Sequence, residues 1–149
     1  MTIVIMSILM TFSFCDLQAQ KQIIPDARLY EMMGQEEVDM MLQQAPEKVL
    51  IYNHMLNNSF YTSKNLPPNT KVVGNIHDVK HINSNQPFSA SESDILSQKF
   101  NFINYQFQRD SEKHIAYKIG DSGYYLIIFP EKLYFEKETK YVKSFGLKY

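Results

Sequence analysis

The chain has 149 residues, of which 44% are apolar and 21% charged, a composition that excludes a disordered tail or a fibrous repeat and suits one globular domain. Fifteen basic residues against 16 acidic ones leave no positive excess to hold a phosphate backbone, so the charge balance argues against nucleic acid as a partner.

The first twenty residues, MTIVIMSILMTFSFCDLQAQ, differ in kind from the rest. Ile3 to Phe14 is an uncharged run, shorter than the roughly 20 apolar residues a bilayer span needs but of the length of a signal-peptide core. Leu17-Gln18-Ala19 then puts a small residue where signal peptidase cuts, which gives a leader at 1–19 and a single domain at 20–149. The segment resembles the leaders of exported proteins in some Gram-negative bacteria, where Ala-Gln at the junction leaves a Gln, here Gln20, at the new N-terminus. The resemblance implies a periplasmic or secreted protein with no stable membrane span once the leader is gone. It departs from the usual pattern in one respect, since no Lys or Arg precedes the apolar run. Cys15 stands where a lipoprotein would be acylated, but Phe14 occupies the preceding place, where such signals need a small residue. Cys15 is therefore read as part of the leader.

A cut after Ala19 leaves a mature chain without cysteine, hence without a disulfide, a thiolate nucleophile or a sulfur-ligated metal. A chain of that length buries roughly two-thirds of its unfolded surface unaided. Loss of Asp16 brings acids and bases level, and a net charge near zero favours weak self-association.

Gln35 to Gln44, QEEVDMMLQQ, opens with acidic residues suited to a helix N-terminus and carries Val38, Met41 and Leu42 at helical spacing. Pro46 fits the first position of a second helix, with Glu47 in its first turn and Tyr52, Leu56 and Phe60 forming one apolar stripe. Together they predict a helical hairpin whose stripe faces a core. Leu66-Pro67-Pro68-Asn69 ends the helical part. Lys71 to Val79 is a predicted strand, and His81 to Ser97 is a polar loop with a helical turn around Ser91 to Leu96.

From Phe102 to Gln108, Ile103, Tyr105 and Phe107 alternate with Asn104, Gln106 and Gln108, the period-two pattern of a half-buried strand. Ile115, Tyr117 and Ile119 repeat it, and Arg109 to Lys113 has the length of a hairpin connection. Tyr124 to Phe129 is apolar throughout, which predicts a central strand covered on both faces. The fold expected is α+β, an N-terminal helical hairpin packed on an antiparallel β-sheet of three to five strands.

Gly120-Asp121-Ser122-Gly123 lies between the last two of these strands and matches the four residues around the nucleophile of chymotrypsin-like serine proteases. That family motif continues with a glycine and a proline, where this chain has Tyr124 and Tyr125, and it belongs to a two-barrel fold much larger than this domain. Asp-Ser-Gly is also good hairpin-loop chemistry, and a turn accounts for every residue of the stretch.

His77 and His81 are four apart. On a helix that spacing serves one metal, but on a strand it spans about 13 Å, too far for a shared tetrahedral site. His54, among amide and apolar residues, is read as a helix-flank residue. Glu36 and Glu37 are explained by the helix dipole, and no phosphate loop, dinucleotide fingerprint or HExxH motif is present. No catalytic, cofactor-binding or metal residue is assigned.

In PEKLYFEKETKYVKSFGLKY, Phe135 and Tyr141 can face each other across a turn at Lys137-Glu138-Thr139, or Pro130-Glu131-Lys132 can open a helix; strand is the expectation. Glu131 to Lys148 carries five Lys against three Glu, whereas Asp26 to Lys48 carries six acids against two bases, so the two ends differ in charge. This polarity and the ten Tyr and ten Phe suggest a small exported, non-catalytic module that binds an envelope protein or small ligand. The alternative is a periplasmic hydrolase built from His77, His81, Asp121 and Ser122.

Overall fold

A computed structural model describes residues 21–147; the leader at 1–19, with Cys15 and Ala19, and Gln20 lie outside the described residues. Within them the chain is α+β. Three helices come first, α1 (Ala27–Met33), α2 (Gln35–Gln44) and α3 (Pro46–Asn58), and two more follow later, the short α4 (Glu92–Leu96) and the longer α5 (Glu131–Lys143). Four strands, β1 (Phe60–Ser63), β2 (Lys71–Asn75), β3 (Ile115–Lys118) and β4 (Tyr125–Ile128), form one sheet in the order β1-β4-β3-β2.

The α2–α3 hairpin has the expected bounds, with Pro46 at the start of α3 and Glu36, Glu37 and Glu47 in the first turns. Two elements were not expected. Asp26 caps α1 by accepting from the Arg28 N–H at 3.0 Å. Phe60, predicted to close the α3 stripe, instead opens β1, because α3 ends at Asn58.

The sheet is mixed. β4 pairs antiparallel with β1 and β3, whereas β2 runs parallel to β3 with a register shift between Val72 and Gly74. Leu126, Ile127 and Ile128 are essentially inaccessible, so β4 is central and covered on both faces. Each of these side chains contributes about 1.5–3 kcal/mol by leaving water.

The strand expected at Phe102–Gln108 is replaced by a 3₁₀ turn, Phe102–Asn104, followed by extended chain. That chain meets residues 80–82, where the Gln106 N–H donates to Lys80 O at 2.8 Å and His81 bridges Tyr105. The physical reason is that neighbouring side chains serve different cores. Phe102, Tyr105 and Phe107 pack under the sheet, while Ile103 joins the helical cluster of Leu29, Val38, Val49 and Leu56. A strand pairing over the whole segment would not allow that split.

The face of the sheet that carries Phe60, Ile115, Tyr117, Leu126 and Ile128 is therefore covered by the connection between β2 and β3. Phe88 and Ile95, from the segment read as polar loop, are buried in it. Aromatic stacking replaces backbone periodicity there. Phe102 lies between Phe60 at 4.9 Å and Phe107 at 4.6 Å, the latter pair tilted by only 3°, and Phe107 meets Tyr117 at 5.4 Å.

The C-terminal strand hairpin is not formed; residues 131–143 are the helix α5. Pro130 and Glu131 open it, and its first backbone N–H groups are taken up by the 109–113 connection, with Glu131 donating to Asp110 O at 2.9 Å and Lys132 to Ser111 O at 3.2 Å. Buried Tyr134, Glu138 and Val142 lie on one face of it. The strand reading failed because one of those three positions is a carboxylate, which hides the helical period.

Arg28 joins the helical layer to the aromatic segment. Its guanidinium reaches Leu56 O at 3.3 Å, Gln98 O at 3.1 Å and Phe100 O at 3.3 Å, and also binds Asp26 and Asn57. The Asp26 carboxyl is held well below the usual carboxylate range by the Arg28 side chain, with help from Asn57.

Urea unfolding should show Leu126→Ala losing about 3 kcal/mol, and the exposed edge substitution Val72→Ala changing stability by less than about 0.5 kcal/mol. Arg28→Met should cost about 2 kcal/mol, because it strands the Asp26 carboxylate and three carbonyls; an unchanged urea midpoint would remove Arg28 from its bridging role.

Candidate functional site

Ser122 sits in the bend that joins β3 to β4. Gly120 and Gly123 adopt φ of 51° and 75°, backbone that side chains with a Cβ disfavour. The Ser122 hydroxyl donates to Ile119 O at 2.6 Å and accepts the Tyr124 N–H at 3.1 Å, so it is committed to closing the turn. Asp121 is exposed beside it.

His77 lies exposed in a 3₁₀ turn that Asn75 caps, and the chain from Ile76 to Asp78 has left the strand expected there. His81 accepts the Asn83 N–H on Nδ1 at 3.1 Å and rests edge-on against Tyr105. Among the described residues no hydrogen bond links His77, His81 or Asp121 to Ser122, and no group of three or more His, Cys, Asp and Glu could hold a metal ion. The grooves are shallow and open. The one at the end of β2 has about 230 Å³ and is lined by Asn75, Asp78, Gln106 and Tyr117, and one beside α5 has about 470 Å³ and is lined by Ser111, His114, Lys132 and Leu133.

His54 is not a helix-flank residue. It is only 4% exposed, and its ring lies 5.2 Å from that of Tyr134 and 5.3 Å from that of Tyr141, both on α5. Neither ring nitrogen has a hydrogen-bond partner among the described residues. Burial pushes its pKa below the ordinary histidine value; the charge of Glu138 opposes this and that of Lys137 adds to it. Glu138, also buried, accepts the Tyr134 hydroxyl, and Arg109 lies 5.4 Å over the Tyr134 ring. Burial likewise raises Tyr141, partly countered by a hydrogen bond with Asn53. Sequence reading missed this cluster because it exists only once residues 131–143 are helical and lie along α3. The available signal was the spacing of Tyr134, Glu138, Tyr141 and Val142, three and four apart.

The surface of the helical layer is uneven in charge and apolar content. On α5, Lys132, Glu136, Lys140 and Lys143 share one exposed face, with Lys140 bonded to Glu136 at 2.7 Å, and Phe135, 52% exposed, stands at its flank beside the Tyr134 ring. At the α1–α2 junction, Met33, Gly34, Gln35, Glu36, Glu37 and Met40 line a groove of about 450 Å³, with Met40 50% exposed. The sequence polarity between the two ends thus falls on two helical surfaces, each with an exposed apolar side chain. No helix among the described residues is long and apolar enough to cross a membrane.

No family model, curated protein or solved structure matches the chain.

The titration of His54 has a definite sign. Its folded pKa is lower than its unfolded value near 6.5, so its contribution is complete above about pH 6.5 and lost as pH falls toward the depressed value. Urea midpoints measured in that window should fall with pH, and His54→Leu should flatten the slope while leaving stability at pH 8 unchanged or higher, since two unpartnered nitrogens are removed. His114, whose pKa burial also lowers, should contribute a slope of the same sign that His114→Gln removes.

Proposed function

We propose that the protein is a small exported module of a bacterial cell envelope that acts without catalysis, by binding or assembling with another protein. The reading is supported chiefly by Phe135, a large aromatic ring held half in water on a regular helix that also exposes Lys132, Lys140 and Lys143. Isolated exposed apolar residues are ordinary, but this ring stands at the edge of the face that buries Tyr134, Glu138 and Val142, 5.3 Å from the Tyr134 ring. An exposed aromatic suits an interface centre, where aromatic residues are enriched, and the lysines of the same helix suit its polar rim. A second exposed apolar site, Met40 in its acidic groove, gives the module a recognition surface of the opposite sign. The leader pattern at 1–19 supplies the export half of the reading.

The hydroxyl of Ser122 and the ring of His81 are spent on local structure, so the hydrolase alternative gains no support from them. Chemical crosslinking in the native envelope, followed by affinity recovery, should return one partner chain in stoichiometric amount, and the mature N-terminus should read Gln20. Turnover on an ester, glycoside or peptide panel, abolished by Ser122→Ala without loss of fold, would overturn the proposal.

A further inference from the structure

We infer that the partner of the lysine-rich α5 face is the acidic, methionine-lined groove of a second copy of this chain, in a head-to-tail contact. The inference rests on the binding role proposed above and names its occupant.

The two surfaces complement each other in three respects. The exposed side of α5 carries a stripe of Lys132, Lys140 and Lys143 with Phe135 at its flank, and Glu136 is already bound to Lys140; the groove is lined by Glu36 and Glu37 with Met33 and Met40. The charges are opposite, so approach is steered and the wrong pairings, α5 on α5 or groove on groove, are opposed by like charges. The apolar parts also match: a rigid aromatic ring protrudes on one side, and on the other two unbranched thioether side chains line about 450 Å³ of open groove and can adjust around it. Finally, with 15 basic and 16 acidic residues in the chain, net repulsion between copies is small, so local complementarity is not opposed by overall charge.

The contact is heterologous, because α5 and the α1–α2 groove are different surfaces. Each pair of copies therefore keeps one free α5 face and one free groove, and the assembly grows into a ring or a filament instead of stopping at a two-fold dimer. A basic helix of another envelope protein would satisfy the groove by the same chemistry, and the test separates the two occupants.

Two exposed substitutions block the two halves separately: Phe135→Glu sets a negative charge against the acidic groove, and Met40→Lys sets a positive charge against α5. Sedimentation velocity on the purified protein should show concentration-dependent species larger than a dimer, weakened on raising salt from about 0.05 M to about 0.5 M. Each variant alone should associate at least about tenfold more weakly, with unchanged far-ultraviolet circular dichroism. An equimolar mixture of the two variants should form a heterodimer and nothing larger, since one intact α5 face and one intact groove remain. A monomeric wild type at the highest soluble concentration, or a mixture that stays monomeric, overturns the self-contact. If the wild type is monomeric yet Met40→Lys abolishes recovery of a different envelope protein, the self-contact fails while the binding role stands.

Discussion

Five hydrogen-bonding groups gathered around one guanidinium hold the two halves of this protein in register. Arg28 offers a planar fork of donors, and the fold surrounds it with the carboxylate of Asp26, the side chain of Asn57 and the carbonyls of Leu56, Gln98 and Phe100. Leu56 O lies in the last turn of α3, where the backbone has run out of its own donors. Gln98 and Phe100 belong to the irregular chain that sends Phe100 and Phe102 under the sheet. One side chain thus ends a helix and anchors the segment on which the aromatic core depends. Asn53 extends the arrangement by accepting the Asp26 N–H and donating to Ile24 O, which fixes the entry of the chain into α1.

Polar chemistry in the interior and on the surface serves different ends. The buried His54, Glu138 and Tyr134 lie where α5 packs along α3, and no groove described above opens onto them. Their effect is on how α5 is seated, and His54, whose pKa burial lowers, makes that seating respond to acid. The outward side of the same helix carries Phe135 and the lysines. Anything that alters the seating of α5 therefore also alters the presentation of its outer face, which links the buried His54 to the proposed binding surface through a single element.

Legibility from sequence followed the locality of the signal. The α2–α3 hairpin was readable because amphipathic spacing, acidic first turns and Pro46 all act within a few residues. The β3–β4 bend was readable because Gly120 and Gly123 allow a backbone that other residues resist. The alternation at 102–108 misled because it reports which side chains are apolar, not which core receives them; Ile103 and Tyr105 share a parity yet go to different clusters. The C-terminal helix was obscured by Glu138, a charge inside an otherwise apolar stripe, and its burial is a tertiary fact that no local rule supplies. His54 was misplaced for the same reason, since the rings that cover it belong to that helix. The surface candidates fared differently: the charge polarity of the two ends was visible in composition, but which lysines share a face, with Phe135 at its flank, required the helix itself.

The parallel pairing of β2 with β3 carries a consequence for how the chain assembles. Of the paired strands only β3 and β4 are joined by a short connection; β1 reaches β4, and β2 reaches β3, across long stretches of chain. Bringing distant segments together forfeits more chain freedom than closing a tight bend, although the cost rises only logarithmically with length. The two outer strands are thus recruited to a ribbon that can form locally, and the crossover between β2 and β3 must bring Phe88, Phe100 and Phe102 with it before that ribbon loses contact with water on one side. The wrapping of irregular chain over a small hairpin, more than the stacking of regular layers, gives this domain its interior.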